Sequence, residues 1–377
     1  MNVKMVDLRA QFKEVEEEVK KGWNQTFENM NLMLGPNVGA FEDEFSSFIG
    51  TKYGYGVNSG TDALILSLSA LGIEPADGVL TVSFTFFATP ESIILAGGKP
   101  IFVDIDEDTL TIDVNHLEKI LKSARRKDGE TYINGIRVKG IIPVHLFGIP
   151  APMEKIRQIA TEFNLFIIED AAQAHGALYK GKRVGSFGNT SAFSFYMSKN
   201  LSALGDAGMI LTNDKEIAEK IFRLRIHGQS ERYTHRHIGY NSRLDELQAV
   251  VLRAKLKKLD EWNRRRREIA TLYLQGLKDL PIKLPTAPKE SVPVWHMFSV
   301  KTRKRDDLFK YLRENGIEAA IHYPVPCHKQ KALEEFNSLS LPVTERVSGE
   351  ILSLPIHQHL TNEEVSYIID KIKDFFG

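Results

Sequence analysis

Cysteine is almost missing from this 377-residue chain, with Cys327 its only example. A single thiol excludes a disulfide framework and any cysteine-rich metal cage. Net charge is missing too, since 49 basic side chains balance 49 acidic ones. No global field therefore draws the chain to nucleic acid or to an anionic membrane. No apolar run reaches bilayer-spanning length, and Met1–Leu8 lacks the apolar stretch of a signal peptide. A cytoplasmic protein without a membrane partner is expected. Repeats and low-complexity tracts are lacking as well. His235-x-His237 and His357-x-His359 have no acidic or cysteine ligands at a convincing spacing, so no metal is expected.

What is present reads as an α/β protein. The length exceeds one usual hydrophobic core, so two domains are expected. A charged helix opens the chain from Ala10 to about Asn29, with Phe12, Val15, Val19 and Trp23 at helical spacing. A second helix carries Phe41, Phe45 and Phe48. Strand-like runs at Val79–Ser83, Pro100–Asp104, Gly140–His145, Phe166–Asp170, Ser191–Tyr196 and Ala207–Thr212 then alternate with amphipathic helices. That alternation predicts a largely parallel sheet covered on both faces, with ligands at the carboxyl ends of its strands. Within it, Lys122–Val138 reads as an exposed excursion around an Asn-Gly turn. A long basic helix from about Ser242 to Leu277 is expected to start at a Ser242 cap. Past Pro281 the pattern becomes a smaller α+β one, ending in a helix at Asn362–Phe376. The division falls near Lys255, giving a large domain of residues 1–254 and a small one of 255–377.

Two residues carry the chemistry. Asp170 closes the strand Phe166–Asp170, and Lys199 follows the strand Ser191–Tyr196, 29 residues further on. Taken alone, each has a bland reading as a turn residue or a solvated rim charge. Together they suit a cofactor with an aldehyde and a pyridine ring. The lysine amine forms a Schiff base with the aldehyde, and a buried carboxylate keeps the ring nitrogen protonated so that the ring accepts electrons. Pyridoxal 5′-phosphate (PLP) is such a cofactor.

Further segments fit or fail around that pair. Asn58-Ser59-Gly60-Thr61-Asp62 precedes an apolar helix, where small residues and free amides make a phosphate cradle or a plain cap. A dinucleotide loop built with Gly54 and Gly56 has the wrong glycine spacing and no acidic residue at the expected distance. Gly176 to Lys182 mimics a P-loop, but Arg183 stands where Ser or Thr would bind magnesium, and Tyr179–Lys182 reads as a hairpin tip. Ser83–Thr89 ends a strand with aromatics on which a planar ring could stack.

Four segments in order carry a specific resemblance: Asn58–Leu64, Glu169–Gly176 (EDAAQAHG), Phe193–Gly208 (FSFYMSKNLSALGDAG) and Gly239–Gln248 (GYNSRLDELQ). The chain resembles the DegT/DnrJ/EryC1/StrS family of PLP-dependent sugar aminotransferases over nearly its whole length. The resemblance implies the aspartate-aminotransferase-like type I fold: a large domain with a mainly parallel mixed sheet, and a smaller α+β C-terminal domain. It implies Lys199 as the Schiff-base lysine and Asp170 as the pyridinium partner. Gly60, Thr61 and Ser194 match phosphate ligands, Gln173 lies beside the ring hydroxyl, and Phe86 stacks on the ring where Tyr or Trp is common. Asn241 matches an asparagine that reaches the phosphate of the neighbouring subunit, which implies a homodimer with shared sites.

The implied reaction moves an amino group from glutamate to a keto sugar on a nucleoside diphosphate. His227–Gln229, Arg232-Tyr233, Asn241–Arg243, Ile321–Pro326 and Leu259–Arg266 resemble the branch that aminates C-3 of UDP- or dTDP-linked sugars; C-4 amination is the alternative. Arg232, Tyr233, His237, His322 and Tyr323 are the candidate substrate contacts. A dehydratase of the family carries histidine at the lysine position, so Lys199 argues against it. A PLP-binding regulator without turnover and an NAD enzyme complete the rivals.

Overall fold

The computed structural model describes all residues, 1–377. Asp7 accepts a hydrogen bond from Ala10 N and starts α1 (Leu8–Lys13); α2 (Glu16–Asn29) follows after a break. The single helix expected from Ala10 is thus two. Val15 leaves helical geometry at φ −120°, ψ 1°, and is buried with Val19 against Val250, Val251 and Ala254. Packing decides the break, since nothing in the local propensity demands it. Proline at the first position opens α3 (Pro36–Ile49), which buries Phe41 and Phe45.

Strands and helices then alternate: β1 (Tyr53–Val57), α4 (Gly60–Ala70), β2 (Gly78–Val82), α5 (Ala88–Leu95), β3 (Lys99–Val103) and α6 (Val114–Lys122). The 122–138 excursion is a hairpin, β4 (Arg125–Lys127) and β5 (Glu130–Ile133), running into β6 (Ile136–Ile142). Asn134 and Gly135 at its tip both take positive φ, 49° and 81°, as a tight hairpin turn requires. There follow α7 (Met153–Phe163), β7 (Phe166–Asp170), a small hairpin of β8 (Leu178–Tyr179) and β9 (Lys182–Arg183), β10 (Thr190–Ser194), β11 (Gly208–Thr212), α8 (Lys215–Leu224), and an exposed hairpin of β12 (Gln229–Glu231) and β13 (Thr234–His235).

Seven strands of the nine-stranded main sheet follow one another in the order β3-β2-β6-β7-β10-β11-β1, with the β4–β5 hairpin attached through β6. Along that path neighbours are parallel except at β11, which runs against both β10 and β1. Apolar clusters cover both faces, one around Leu80, Val103 and Ile141, the other around Leu66, Ile142 and Ile168. This is the mainly parallel mixed sheet of the expected fold. β1 is the strand that sequence reading did not delimit, because two of its five residues are glycine. A Cβ on Gly54 would come within 2.3 Å of the Met209 and Ser46 side chains, and one on Gly56 within 2.6 Å of Leu244. Those glycines let neighbouring elements close on the strand.

The long basic helix is also two helices, α9 (Glu246–Leu256) and α10 (Leu259–Gly276). Ser242 does not cap it: its Oγ donates to Asp62 Oδ2 at 2.6 Å and accepts from Asn58 N at 3.1 Å. α9 packs on α2 and α3, whereas α10 packs on the last helix of the chain. After β14 (Ser291–Val292), the elements β15 (Phe298–Lys301), α11 (Arg305–Glu314), α12 (Pro342–Glu350), β16 (Ile351–Leu354) and α13 (Asn362–Phe376) build a second region. Antiparallel β15 and β16 share a separate core with Tyr273, Leu312 and Ile368. Val3 belongs to that core and bridges to Ile317, so the first residues join the C-terminal region and not the N-terminal one. Arg266 of α10 is buried there without a carboxylate, its guanidinium donating to the carbonyls of Trp295, His296 and Ile356 at 3.2, 3.4 and 2.9 Å. Burial pulls it down to about 9.

Candidate active site

The carboxyl edge of the sheet brings the motifs together. β1 leads into α4 with Gly60, β2 into the Ser83–Phe87 loop, β7 ends at Asp170, and β10 ends at Ser194 before Lys199. Between them lies a cavity of about 470 Å³. Of the expected site residues, Gly60, Thr61, Phe86, Asp170, Gln173, Ser194, Lys199, His322 and Tyr323 line it.

Asp170 is buried at one wall. Its Oδ2 accepts from Thr89 Oγ1 at 2.8 Å and its Oδ1 from Ala172 N at 3.2 Å. Thr89 in turn pairs with Thr85 at 3.0 Å. Burial pushes the Asp170 carboxyl above the usual carboxylate range, against the pull of these hydrogen bonds and of the Lys199 charge. Burial also pulls the Lys199 amine down to about 8, with the Asp170 charge opposing. The two groups therefore moderate each other across the cavity.

At the other end, Ser59 caps α4 by accepting from Asp62 N at 3.1 Å. The amides of Gly60 and Thr61 are left without a protein acceptor, aligned with the positive end of the helix dipole. A Cβ on Gly60 would lie 2.6 Å from Ser194 Cβ, and one on Gly208 2.2 Å from Ser59 O. Only glycines leave this cradle open.

Gln173 is held from both ends, accepting from Phe147 N at 2.7 Å and donating to the Tyr323 hydroxyl at 3.1 Å. Tyr323, its phenol pushed up by burial, lies between Phe84 and Phe86 with ring centroids 6.4 and 6.1 Å away. Phe86 itself is 58% exposed, a face open at the mouth. His322 Nδ1 pairs with Ser353 Oγ at 3.0 Å, and burial pulls its ring down to about 4.

Behind the wall, Glu169 is fully buried and accepts from Gly185, Phe187 and Gly188 amides at 2.7, 2.6 and 2.8 Å. His145 joins it at 3.1 Å and accepts from Ala151 N at 3.0 Å on its other nitrogen. Together they fix the loop that delivers β10. Ser83, His328 and Glu345 are also linked in series, at 2.6 and 3.1 Å, like a hydrolytic triad. Ser83 and His328 have no exposure to solvent, so the linkage clasps the 327–345 segment to the end of β2.

Four expected residues stay outside this cavity. Arg232, Tyr233 and His237 stand in solvent on and beside the β12–β13 hairpin, Tyr233 82% exposed, and do not line the cavity of their own chain. The hairpin contributes no residue to the cavity lining, which sequence spacing cannot reveal. Asn241 is exposed too, its carbonyl accepting from Asn58 Nδ2 at 3.0 Å and its side-chain oxygen from Arg243. Residues that sequence reading overlooked are Thr89, Asn200 and His296. Only the Thr85–Thr89 spacing, one helical turn, offered a signal. Of the histidine pairs, His359 pairs with Glu14, and His235 Nδ1 donates to His227 O at 2.9 Å.

These residues fit PLP: two unpaired amides in a glycine cradle for its phosphate, Asp170 for its ring nitrogen, Lys199 for its aldehyde. Fold and cavity together define a type I PLP enzyme. The profile of the DegT/DnrJ/EryC1/StrS aminotransferase family matches residues 13–373. The chain is 40% identical to a pleiotropic regulatory protein of Geobacillus stearothermophilus, covering 100% of this chain and 99% of that one. It is also 40% identical to the dTDP-3-amino-3,4,6-trideoxy-alpha-D-glucose transaminase of Streptomyces venezuelae, with 99% and 96% covered. The crystal structure of S. venezuelae DesV in complex with ketimine intermediate superposes with a TM-score of 0.93 at 40% identity, covering 99% and 98% of the two chains. The protein belongs to the DegT/DnrJ/EryC1/StrS family of PLP-dependent aminotransferases.

Proposed function

We propose that this protein transfers the amino group of glutamate to the C-3 keto carbon of a sugar carried on UDP or dTDP, for amino-sugar biosynthesis. The observation that carries the reading is the single cavity where Lys199, buried Asp170 and the free Gly60 and Thr61 amides meet. When bound, PLP supplies an aldehyde carbon and an electron-accepting ring.

The chain's residues do the rest. Asp170, steadied by Thr89 and Ala172, holds a proton at the ring nitrogen's position. Lys199, drawn down to about 8, carries a neutral fraction roughly several-hundred-fold above that of an ordinary lysine at the same pH. That amine is the nucleophile first and then moves a proton at the donor's α-carbon. Gly60, Thr61 and Ser194 hold the phosphate, Gln173 flanks the ring hydroxyl, and Phe86 covers one ring face. His322 and Tyr323 contact substrate.

The same reading takes a homodimer with shared sites. Phe27, Met30, Leu32, Met33 and Leu34 form an exposed apolar segment suited to a second copy. Asn241, Arg232, Tyr233 and His237, which are exposed and do not line their own cavity, would then serve the partner's. A division at 254/255 into cofactor-binding and smaller domains belongs to this reading.

The test is turnover of UDP- and dTDP-linked 3-keto and 4-keto sugars with glutamate, followed as 2-oxoglutarate release. A 3-keto sugar is expected to turn over and its 4-keto isomer not. Exclusive 4-keto turnover overturns the position. Cofactor binding with no turnover of any sugar favours the regulatory role that the name of the Geobacillus relative suggests.

A further inference from the structure

His296, between β14 and β15, lies on the wall of the same cavity and is 6% exposed. Its two ring nitrogens have different surroundings. Nδ1 is 3.1 Å from Asn200 Oδ1, whereas Nε2 is buried with no partner. The Asn200 amide is oriented from its other end, where Nδ2 donates to the Val294 carbonyl and to Asn263 Oδ1, both at 3.0 Å. A backbone carbonyl can only accept, so Oδ1 is the atom that faces His296, and Nδ1 carries the ring proton. Nε2 of the neutral ring is then a bare lone pair. Neutrality is enforced: burial pushes the imidazole well below its ordinary range, and Lys199, Arg266, His175 and His322 push the same way. A fixed acceptor of this kind cannot recognise a carboxylate or a phosphate. It takes an N–H or O–H donor.

Lys199 is the complementary group. It lines the same cavity, precedes Asn200 in sequence, and no side-chain hydrogen bond holds its amine. Its charge is the strongest acting on the His296 ring. We infer that His296 Nε2 becomes the acceptor of the Lys199 amine once pyridoxamine phosphate fills the cavity and the amine is not covalently engaged. His296 is thus a positioning residue. It holds one N–H of the lysine and leaves the nitrogen lone pair free for the proton transfer, while Asn200 ties the imidazole to the loop that carries the lysine. This rests on the reading of Lys199 as the reacting amine.

Nitrogen-15 NMR of the imidazole, in protein loaded with pyridoxamine phosphate so that the lysine amine is free, tests the inference. The expected spectrum shows a proton on Nδ1 and a bare Nε2. In Lys199→Met the Nε2 resonance moves and the Nδ1 resonance does not. Competitive amine labelling of the protein loaded with pyridoxamine phosphate gives a second readout. His296→Phe lowers the Lys199 value by about one further pKa unit, tenfold in proton affinity, because the ammonium loses its acceptor. His296→Gln, which keeps an acceptor oxygen, restores it. A proton on Nε2, or an Nε2 resonance indifferent to Lys199→Met, overturns the inference; so does an unshifted lysine in folded His296→Phe. If His296→Phe does not fold, the NMR comparison decides alone. A wrong Lys199 assignment shows separately, as borohydride fixing the cofactor to another lysine.

Discussion

Thr89→Val removes one oxygen from the wall of the active site and almost no volume. In the wild type that hydroxyl donates to Asp170 Oδ2 at 2.8 Å, inside a wall where burial already disfavours the carboxylate. A hydrogen bond to an ionised group is worth about 1.5–3 kcal/mol, or about one to two pKa units. The native Asp170 carboxyl stands above its unfolded value, so this group destabilises the fold as pH rises from the ordinary aspartate range through the raised native value. Losing Thr89 raises the native value further. The stability gap between Thr89→Val and wild type is therefore small in acid, where the carboxyl is protonated in both, and reaches about 1.5–3 kcal/mol once both are ionised. Denaturant unfolding of cofactor-free protein across pH measures it. Thr89→Ser, which keeps the hydroxyl, should follow the wild type. A gap that is flat with pH, or a Thr89→Ser variant as unstable as Thr89→Val, would show that the hydrogen bond to Asp170 does not set the stability, and would refute the reasoning.

The other predictions concern the reacting groups and the assembly. Lys199→Ala should stay folded but lose the borohydride-reducible link to the cofactor and nearly all transamination; labelling at a different lysine sinks the assignment. Asp170→Asn should still bind cofactor yet turn over orders of magnitude more slowly, because a neutral amide cannot hold the ring proton. Wild-type rates there would mean that another acid meets the ring nitrogen. Mixing inactive Lys199→Ala and Asn241→Asp should recover activity through one intact site per heterodimer, with subunit exchange confirmed by mass. If exchange occurs and no activity returns, both residues serve the same subunit.

Much of the architecture was legible because it is written in local chemistry. β7 and α13 run over the expected residues, since an apolar strand closed by Asp170 and a helix capped by Thr361 with Glu364 carry their own boundaries. The Asn134-Gly135 turn forms where its positive-φ residues demand it. Asp170 and Lys199 share a cavity because parallel strands deliver their carboxyl ends to one edge. The breaks at Val15 and at Lys257–Lys258 were not legible, because tertiary packing makes them. Glycines hid β1. Thr89 is an ordinary threonine until folding brings it to Asp170, and the tautomer of His296 depends on Val294, a backbone carbonyl no motif could point to. That the β12–β13 hairpin adds nothing to the lining of its own cavity is likewise a property of the assembled surface.

The buried guanidinium of Arg266 has a consequence for how the molecule comes apart. Its charge is dispersed over carbonyl oxygens of two segments, Trp295–His296 and Ile356, that lie about sixty residues apart in the chain. Neither segment can leave without stranding a cation in an apolar interior, so fraying of one is resisted by the other and by α10 together. Local opening of the C-terminal region is thereby replaced by all-or-none separation, and hydrogen exchange at 295–298 and 354–357 should proceed with one common opening rate. Since Arg266 donates to the carbonyl of His296 itself, the pocket wall beside Lys199 shares the rigidity of that joint.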